Sequence, residues 1–526
     1  MSSELSRAVK KMMGVLLTGE LSAGQIVVDG DKADVVLVLN GVNITAANIS
    51  AINVVNADWV VLALAEGTTN TVSEAADAVA SEDAETNGAI YSTADLWITG
   101  KGTLDVTGVA ADGIVSKDTL VVESGTVHVT AKDDGIRGKD HLVVLGGNIT
   151  VDAQGDGLKS NNVSDTDDAS YPVGVVWISG GTLDVTAGSD TIDAENQVTV
   201  EDGTLALQAG DDGITTNGIM RVTGGTINVK KSVEGFEAAI MHLDGGTGTI
   251  VSSDDGINAT DGSTSSNQNA GVPNMGTPPE DGSFPGGGER PARPGDDTTG
   301  NDNTDTSDTG TIETNSTTTQ TVTVANQTAS NDDQTDNGQT TDGQTRTRQN
   351  RGGGGPNDQA TEGVLVDITG GTWSINAGGD GLDSNGDVII TDGTVIVSGP
   401  TSNGNGALDY NGTFEMNGGT LVAAGSAGMA QSPSSSKQGV LAVSYGQTVS
   451  AGTSVALVDD EGNLVAAYTA PKDAQTLVFS SPNIKQGETY TVYTGADVTG
   501  TEVAGLVTSG SVTGGSKAGT VTATQS

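Results

Sequence analysis

The chain has 526 residues, no cysteine, 77 glycines and a formal net charge of −46. A polyanion of this size repels nucleic acid and acidic membrane surfaces, and a chain without cysteine forms no disulfide, iron–sulfur cluster or thiolate zinc site. No apolar run approaches the ~18 residues of a membrane-spanning helix.

At the start, "AVKKMMGVLL" sets basic residues before an apolar stretch too short for a secretion signal. It reads as the lead-in to strands "GVLLTGEL" and "GQIVVDG". A truncated N-terminus would account for the missing signal. Residues 1–90 are irregular relative to the repeat that begins after them. "ADVVLVLNGVNI" and "ADWVVLALAEGT" look like opening rungs or an N-terminal cap, expected because the bare end of a strand stack is a sticky sheet edge.

From 91 to 260 one unit repeats. The acid before a glycine falls at Asp112, Asp134, Asp156, Asp190, Asp212, Glu234 and Asp255, then again at Asp380, in steps of 22, 22, 34, 22, 22, 21 and 125 residues. The Thr of "GGT", or its equivalent, keeps the same beat from Thr103 through Thr126, Asn148, Thr182, Thr204, Thr226 and Thr247 to Thr372 and Thr394. Two markers on one clock define a structural repeat. Within each unit "GTLDVT", "GTVHVT" or "GTINVK" alternates apolar and polar residues, the period of a half-buried strand. A second strand runs into the GGT turn, and a third short one starts at the D-G-[IL] turn.

Two to three short strands per unit, with glycine at the corners and no helix, predict an all-β parallel β-helix with ~22-residue rungs stacked about 4.8 Å apart. Leu104, Val127, Ile149, Leu183, Leu205, Ile227, Trp373 and Val395 should form one inward stack. Ile114, Ile136, Leu158, Ile214, Phe236, Ile257 and Leu382 should form another. A long, thin core of this kind is compatible with a chain only 34% hydrophobic and 3% aromatic.

Residues 161–172 form a 12-residue insertion, "NNVSDTDDASYP", which accounts for the 34-residue step. Residues 261–360 carry almost no apolar content and read as a disordered low-complexity insertion. They interrupt the rungs, because the beat resumes over 361–436 at "VDITGGTWSINAGGDGL". Residues 437–526 lose the repeat and read as a C-terminal β-rich cap.

Rung stacking places Asp190, Asp212, Glu234 and Asp255 in one column, and Asp380 and Asp383 form a further dense pair. A second column three residues on holds Asp193, Glu237 and Asp383, interleaved with Thr215 and Asn258. Bare carboxylates one strand spacing apart repel by about 1 kcal/mol in water and several times more when partly dehydrated. Two readings are open: each acid holds its own glycine turn by bonding backbone N–H groups, or the columns converge hard oxygen ligands on Ca²⁺. Arg137 and Lys159 occupy equivalent positions on successive rungs. They either read a carboxylate-bearing sugar or neutralise the acids beside them. Trp177, in "VVWISGG", should point outward. Trp97 joins its column if one residue bulges, with Val121 and Val143 between. The pair would offer a sugar-stacking platform unless the 161–172 insertion covers it. His128, His141 and His242 are scattered on strands.

The run from "ADVVLVLNGVNI" through "DGIVSKDTLVVESGTVHVTAKDDGIRGKD", "GGDGLDSNGDVIITDGTVIVSGPTSNGNGALDY" and "GMAQSPSSS" to "GETYTVYTG" resembles a family of secreted, clostridial-type carbohydrate-binding β-helix proteins. The resemblance implies a right-handed parallel β-helix like that of pectate lyases. It also implies bound calcium, location outside the cell or on its surface, and affinity for polygalacturonate or cellulose. The expected function is therefore non-catalytic binding of plant cell-wall polysaccharide. The expected metal ligands are Asp190, Asp193, Asp212, Glu234, Glu237, Asp255, Asp380 and Asp383, and the expected carbohydrate contacts are Trp97, Trp177, Arg137 and Lys159. No catalytic residue is assigned. The alternatives are a calcium-dependent polysaccharide lyase, for which Arg137, Lys159 and Arg221 are the candidate bases, and a surface adhesive or structural protein.

Overall fold

The computed structural model describes residues 12–47, 50–79, 87–163, 172–261 and 359–524. Most of the low-complexity stretch 261–360 and the centre of the 161–172 insertion lie outside the described residues. All regular structure among them is strand.

Each rung contributes three strands, which stack into three walls. In one rung Thr119–Val122 belongs to wall A, Thr126–Ala131 to wall B and Ile136–Gly138 to wall C. Parallel pairing joins each strand to its equivalent in the next rung: Leu120 with Leu142, Val127 with Ile149, Ile136 with Leu158. Wall C alone is a 12-stranded sheet. The result is a nearly closed solenoid of long parallel sheets.

Glycine makes the corners possible. In the turn between walls A and B, Gly225 has φ 80°, a conformation that costs most other residues dearly. At the corner entering wall C, a Cβ on Gly135 would lie 2.4 Å from a methyl of Val151 and 2.6 Å from the Gly157 carbonyl oxygen.

Both expected inward stacks are sealed. Every member of the Leu104 and Ile114 columns is at most 1% exposed. In the Leu104 column one rung holds Gly248, which pairs with Trp373 of the next. Trp373 fills the space a side chain would take there, packs edge-on to Phe236 at 5.9 Å and donates its indole N–H to the Gly370 carbonyl at 3.1 Å.

Residues 12–79 supply the opening rungs. Met12–Leu21 pairs in parallel with Asp34–Ala46, which pairs with Trp59–Leu64 and Thr69–Glu74. Across the 261–360 interruption the stack is continuous, since Ile240 pairs with Leu365 and Ile257 with Leu382. At the far end the direction reverses. Ala474–Ser480 runs antiparallel between Thr420–Gly425 and Val440–Val449, and four further strands close a small barrel. This covers a sheet edge that would otherwise offer unpaired N–H and C=O groups.

The Gly248 gap yields a stability prediction. A Cβ added there would lie 2.3 Å from the Trp373 ring, which the sealed core leaves no room to move. Gly248→Ala should cost about 1–3 kcal/mol as overpacking. Denaturant melts of the two proteins check this, and an unchanged midpoint would contradict the packing described.

Candidate metal and carbohydrate site

The acid before each corner glycine is placed by the backbone of the following rung. Asp112 Oδ1 accepts from the Asp134 N–H at 3.1 Å, Asp134 from Asp156 at 3.0 Å and Asp156 from Asp190 at 3.0 Å. The pattern continues from Asp190 to Asp212 at 2.7 Å and from Asp212 to Glu234 at 3.3 Å. It recurs from Asp255 to Asp380 at 2.6 Å and from Asp380 to Gly406 at 2.5 Å. The acids therefore do hold glycine turns, but each holds the turn of the next rung and not its own.

That leaves the second carboxylate oxygen. Upstream it meets fixed cations. Arg137 reaches Asp112 Oδ2 at 2.5 Å and Asp134 Oδ2 at 3.6 Å, while Lys159 Nζ contacts Asp156, Asp193 at 3.4 Å and Asp134 at 3.7 Å. Both expected sugar-reading cations are thus committed to the acidic ladder, with side chains only 18% and 21% exposed.

Downstream the acids gather. The outward column of wall C runs Arg137, Lys159, Asp193, Thr215, Glu237, Asn258, Asp383, Asp409, each in register with the next. Three groups bring one carboxylate oxygen from each member within 4.8 Å of the others: Asp156, Asp190 and Asp193; Asp190, Asp211 and Asp212; Asp212, Glu234 and Glu237. Five expected ligands are therefore assembled with Asp156 and Asp211. Asp255, Asp380 and Asp383 are not drawn into such a trio. They form a looser patch with Asp409, in which burial, then Asp255, Asp409 and Asp380, holds Asp383 well above the usual carboxylate range.

Asp211 and Asp409 were not among the expected ligands. Asp211 is the first acid of a doublet, and the repeat marks only the second. Asp409 sits where Gly406 and Ala407 replace the acid–glycine pair, so the marker is absent although the column continues.

Burial also pushes Asp190 up to about 8, with Asp212 adding to it, and Asp255 up to about 8, with Asp380 adding to it. Asp193 is pushed to about 6 by burial and Asp156, against the pull of Lys159. Between Glu237 and Asp383, the Oδ1 of Asn258 is sealed from solvent with no hydrogen-bond donor, while its Nδ2 donates to Glu234 at 2.9 Å.

On wall A, Trp97, Val121, Val143 and Trp177 are consecutive register partners, and no bulge is needed to align them. The two tryptophans are half-buried, and the valines between them are 1% and 2% exposed. The neighbouring His141 is buried, with Nε2 3.0 Å from the Pro172 carbonyl oxygen, so the end of the 161–172 insertion lies on this wall. Further along, Arg221 pairs with Asp244 at 2.8 Å and His242 with Asp367 at 3.2 Å.

A solenoid with a ladder of acids along one corner and aromatic side chains on another wall is an architecture suited to ion and polymer binding. A family model described as "Carbohydrate-binding domain-containing protein" matches residues 11–281, more than half of the chain, and the protein belongs to that family. A protein of Acetivibrio thermocellus with the same description is 41% identical over 186 residues, which cover 35% of this chain and 63% of the relative. The chain thus spans less than two thirds of that relative's length. A solved structure titled a polysaccharide lyase-like protein from C. thermocellum, a gadolinium derivative, is 30% identical with a TM-score of 0.38, covering 40% of this chain and 85% of that one.

The raised carboxyls give a pH prediction for metal-free protein. Asp190 and Asp255 titrate near 8 when folded, against about 3.9 for an ordinary Asp. A raised folded value means their contribution to stability is fully present below about pH 4 and is lost as pH climbs through 8. Lys472, pushed down to about 8 by burial, works in the opposite direction, but it is one group. In chelator the melting temperature should fall between pH 5 and pH 9. A flat or rising profile in calorimetry would show that these acids are not confined as described.

Proposed function

We propose that this protein is a secreted or cell-surface module that binds plant cell-wall polysaccharide without cleaving it, on a right-handed parallel β-helix whose acidic corner carries Ca²⁺. The observation that carries the reading is the set of three oxygen trios along one corner of a carbohydrate-binding family member.

The residues fit a hard cation. The converging donors are all carboxylate oxygens, which Ca²⁺ accepts along with backbone carbonyls and water to reach about 6–8 ligands. Asp156, Asp190 and Asp212 are each oriented by the N–H of the next rung, so little of their side-chain freedom is lost on binding. The orphaned Asn258 Oδ1 is a further oxygen that a cation would satisfy. Asp190, Asp193, Asp212, Glu234 and Glu237, with Asp156 and Asp211, would hold the ions. Asp255, Asp380 and Asp383, with Asp409, would form a weaker downstream site.

Bound cations would reverse the local sign on a −46 protein, so that sugar carboxylates of a polygalacturonate chain could complete their coordination. Trp97 and Trp177 would supply stacking surface for sugar rings, including those of cellulose.

The lyase alternative needs an unprotonated base beside the metal. Lys159 is held protonated by Asp134, Asp156 and Asp193, whose attraction outweighs its burial. Arg137 and Arg221 are each tied to an acid. These pairings favour binding over cleavage.

Pull-down on insoluble pectate and cellulose, with and without chelator, tests the reading. Retention on pectate should be lost in chelator and restored by calcium, with no rise in unsaturated-product absorbance. Failure to bind either polymer would favour a purely structural role, and calcium-dependent product would favour lysis. Calcium at 100 times its Kd should also raise stability by about 2.7 kcal/mol per independent site, read as an upward shift of the melt.

A further inference from the structure

Lys159 stands where an ion would. Its Nζ contacts one carboxylate oxygen from each of three successive rungs: Asp134 at 3.7 Å, Asp156, and Asp193 at 3.4 Å. Asp134 and Asp156 are each 5% exposed, and their Oδ1 atoms are fixed by backbone N–H groups. Two of the three Oδ2 atoms, those of Asp134 and Asp156, therefore face a point that they cannot easily leave, and Asp193 Oδ2 completes the set.

We infer that the Lys159 ammonium is a tethered substitute for a metal ion, and that removing it opens a further ion site made by Asp134, Asp156 and Asp193. An ammonium is a compact point charge with three donors, which suits three converging oxygens as a small hard cation would. The adjacent oxygen trio, Asp156, Asp190 and Asp193, shares two of its three members with Lys159. A lysine at this register position therefore sets where the ion row can begin. Arg137 does the same one rung earlier for Asp112 and Asp134.

Past this point the setting changes. After Lys159 the outward column of wall C carries Asp193, Thr215, Glu237, Asn258 and Asp383. The outward column is thus divided: over 112–160 it carries Arg137 and Lys159, whereas over 190–260 it carries the acids of the proposed ion row with Thr215 and Asn258 between them. This division rests on the reading of the downstream acids as an ion row.

Lys159→Met keeps the aliphatic stem and removes the charge. Wild type and K159M, equilibrated with calcium chloride and desalted, would be compared by elemental analysis of calcium per chain and by titration calorimetry. One more ion per chain in K159M is the expected result. An equal ratio in two ion-binding proteins would overturn the Lys159 assignment alone. Absence of calcium from both would overturn the ion row and this inference together. Because K159M could fail to fold, hydrogen exchange on the wild-type chain in chelator provides a second measurement. Protection should persist over 112–160 and weaken over 190–260, and a uniform response along the coil would overturn the division.

Discussion

The bond from each corner carboxylate to the backbone N–H of the following rung governs this molecule. It ties consecutive turns together at the corner entering wall C, beside the backbone bonds there, and it fixes the orientation of every acid involved. Orientation has an electrostatic consequence. With one oxygen turned toward the next rung, the other is forced into a row of like charges about one strand spacing apart, where repulsion of roughly 1 kcal/mol in water grows several-fold on dehydration. A surface carboxylate would swing away to relieve this. These cannot without breaking the ladder.

The chain answers that repulsion in two ways along its length. Upstream, Arg137 and Lys159 are built into the outward column of wall C and lie across the acids. Downstream, the same column carries Asp193, Glu237, Asp383 and Asp409 in register. Burial, with like charge beside it, raises proton affinity at Asp190 and Asp255, and burial does the same at Asp112 against the pull of Arg137. The proposed cation site therefore follows from a hydrogen bond whose first role is to hold turns in line.

The strand stack was legible because its signal is periodic: the inward columns at Leu104 and Ile114 follow from spacing alone. What escaped the period was compensation between rungs. Gly248 reads as a gap in the Leu104 column, and only the structure shows Trp373 leaning into it. Spacing makes Trp97 need a bulge to reach the Trp177 column, whereas Trp97 pairs with Val121 directly. The acidic columns were legible in outline, but the marker of acid followed by glycine is blind to Asp211 and Asp409, which take part through position without the motif. Nor can spacing tell which oxygen of an aspartate is already occupied. That distinction turns on the next rung's backbone, and it is why Arg137 and Lys159 look equally suited to a sugar until their partners are seen.

The two interruptions of the repeat share a location. Both the 161–172 insertion and the 261–360 stretch leave after a wall C strand and return at the start of wall A, and the strands on either side pair as though nothing intervened. This corner behaves as a seam. Chain can be added there without shifting the phase of any later rung, so side-chain alignment upstream and downstream is inherited intact. The corner where the acids sit takes added chain as well: Thr394 to Leu408 is four residues longer than Thr372 to Leu382, yet Asp383 still pairs with Asp409. Strand pairing, and not corner length, therefore sets the phase of each rung, and the charged ridge keeps its pitch while the corners vary.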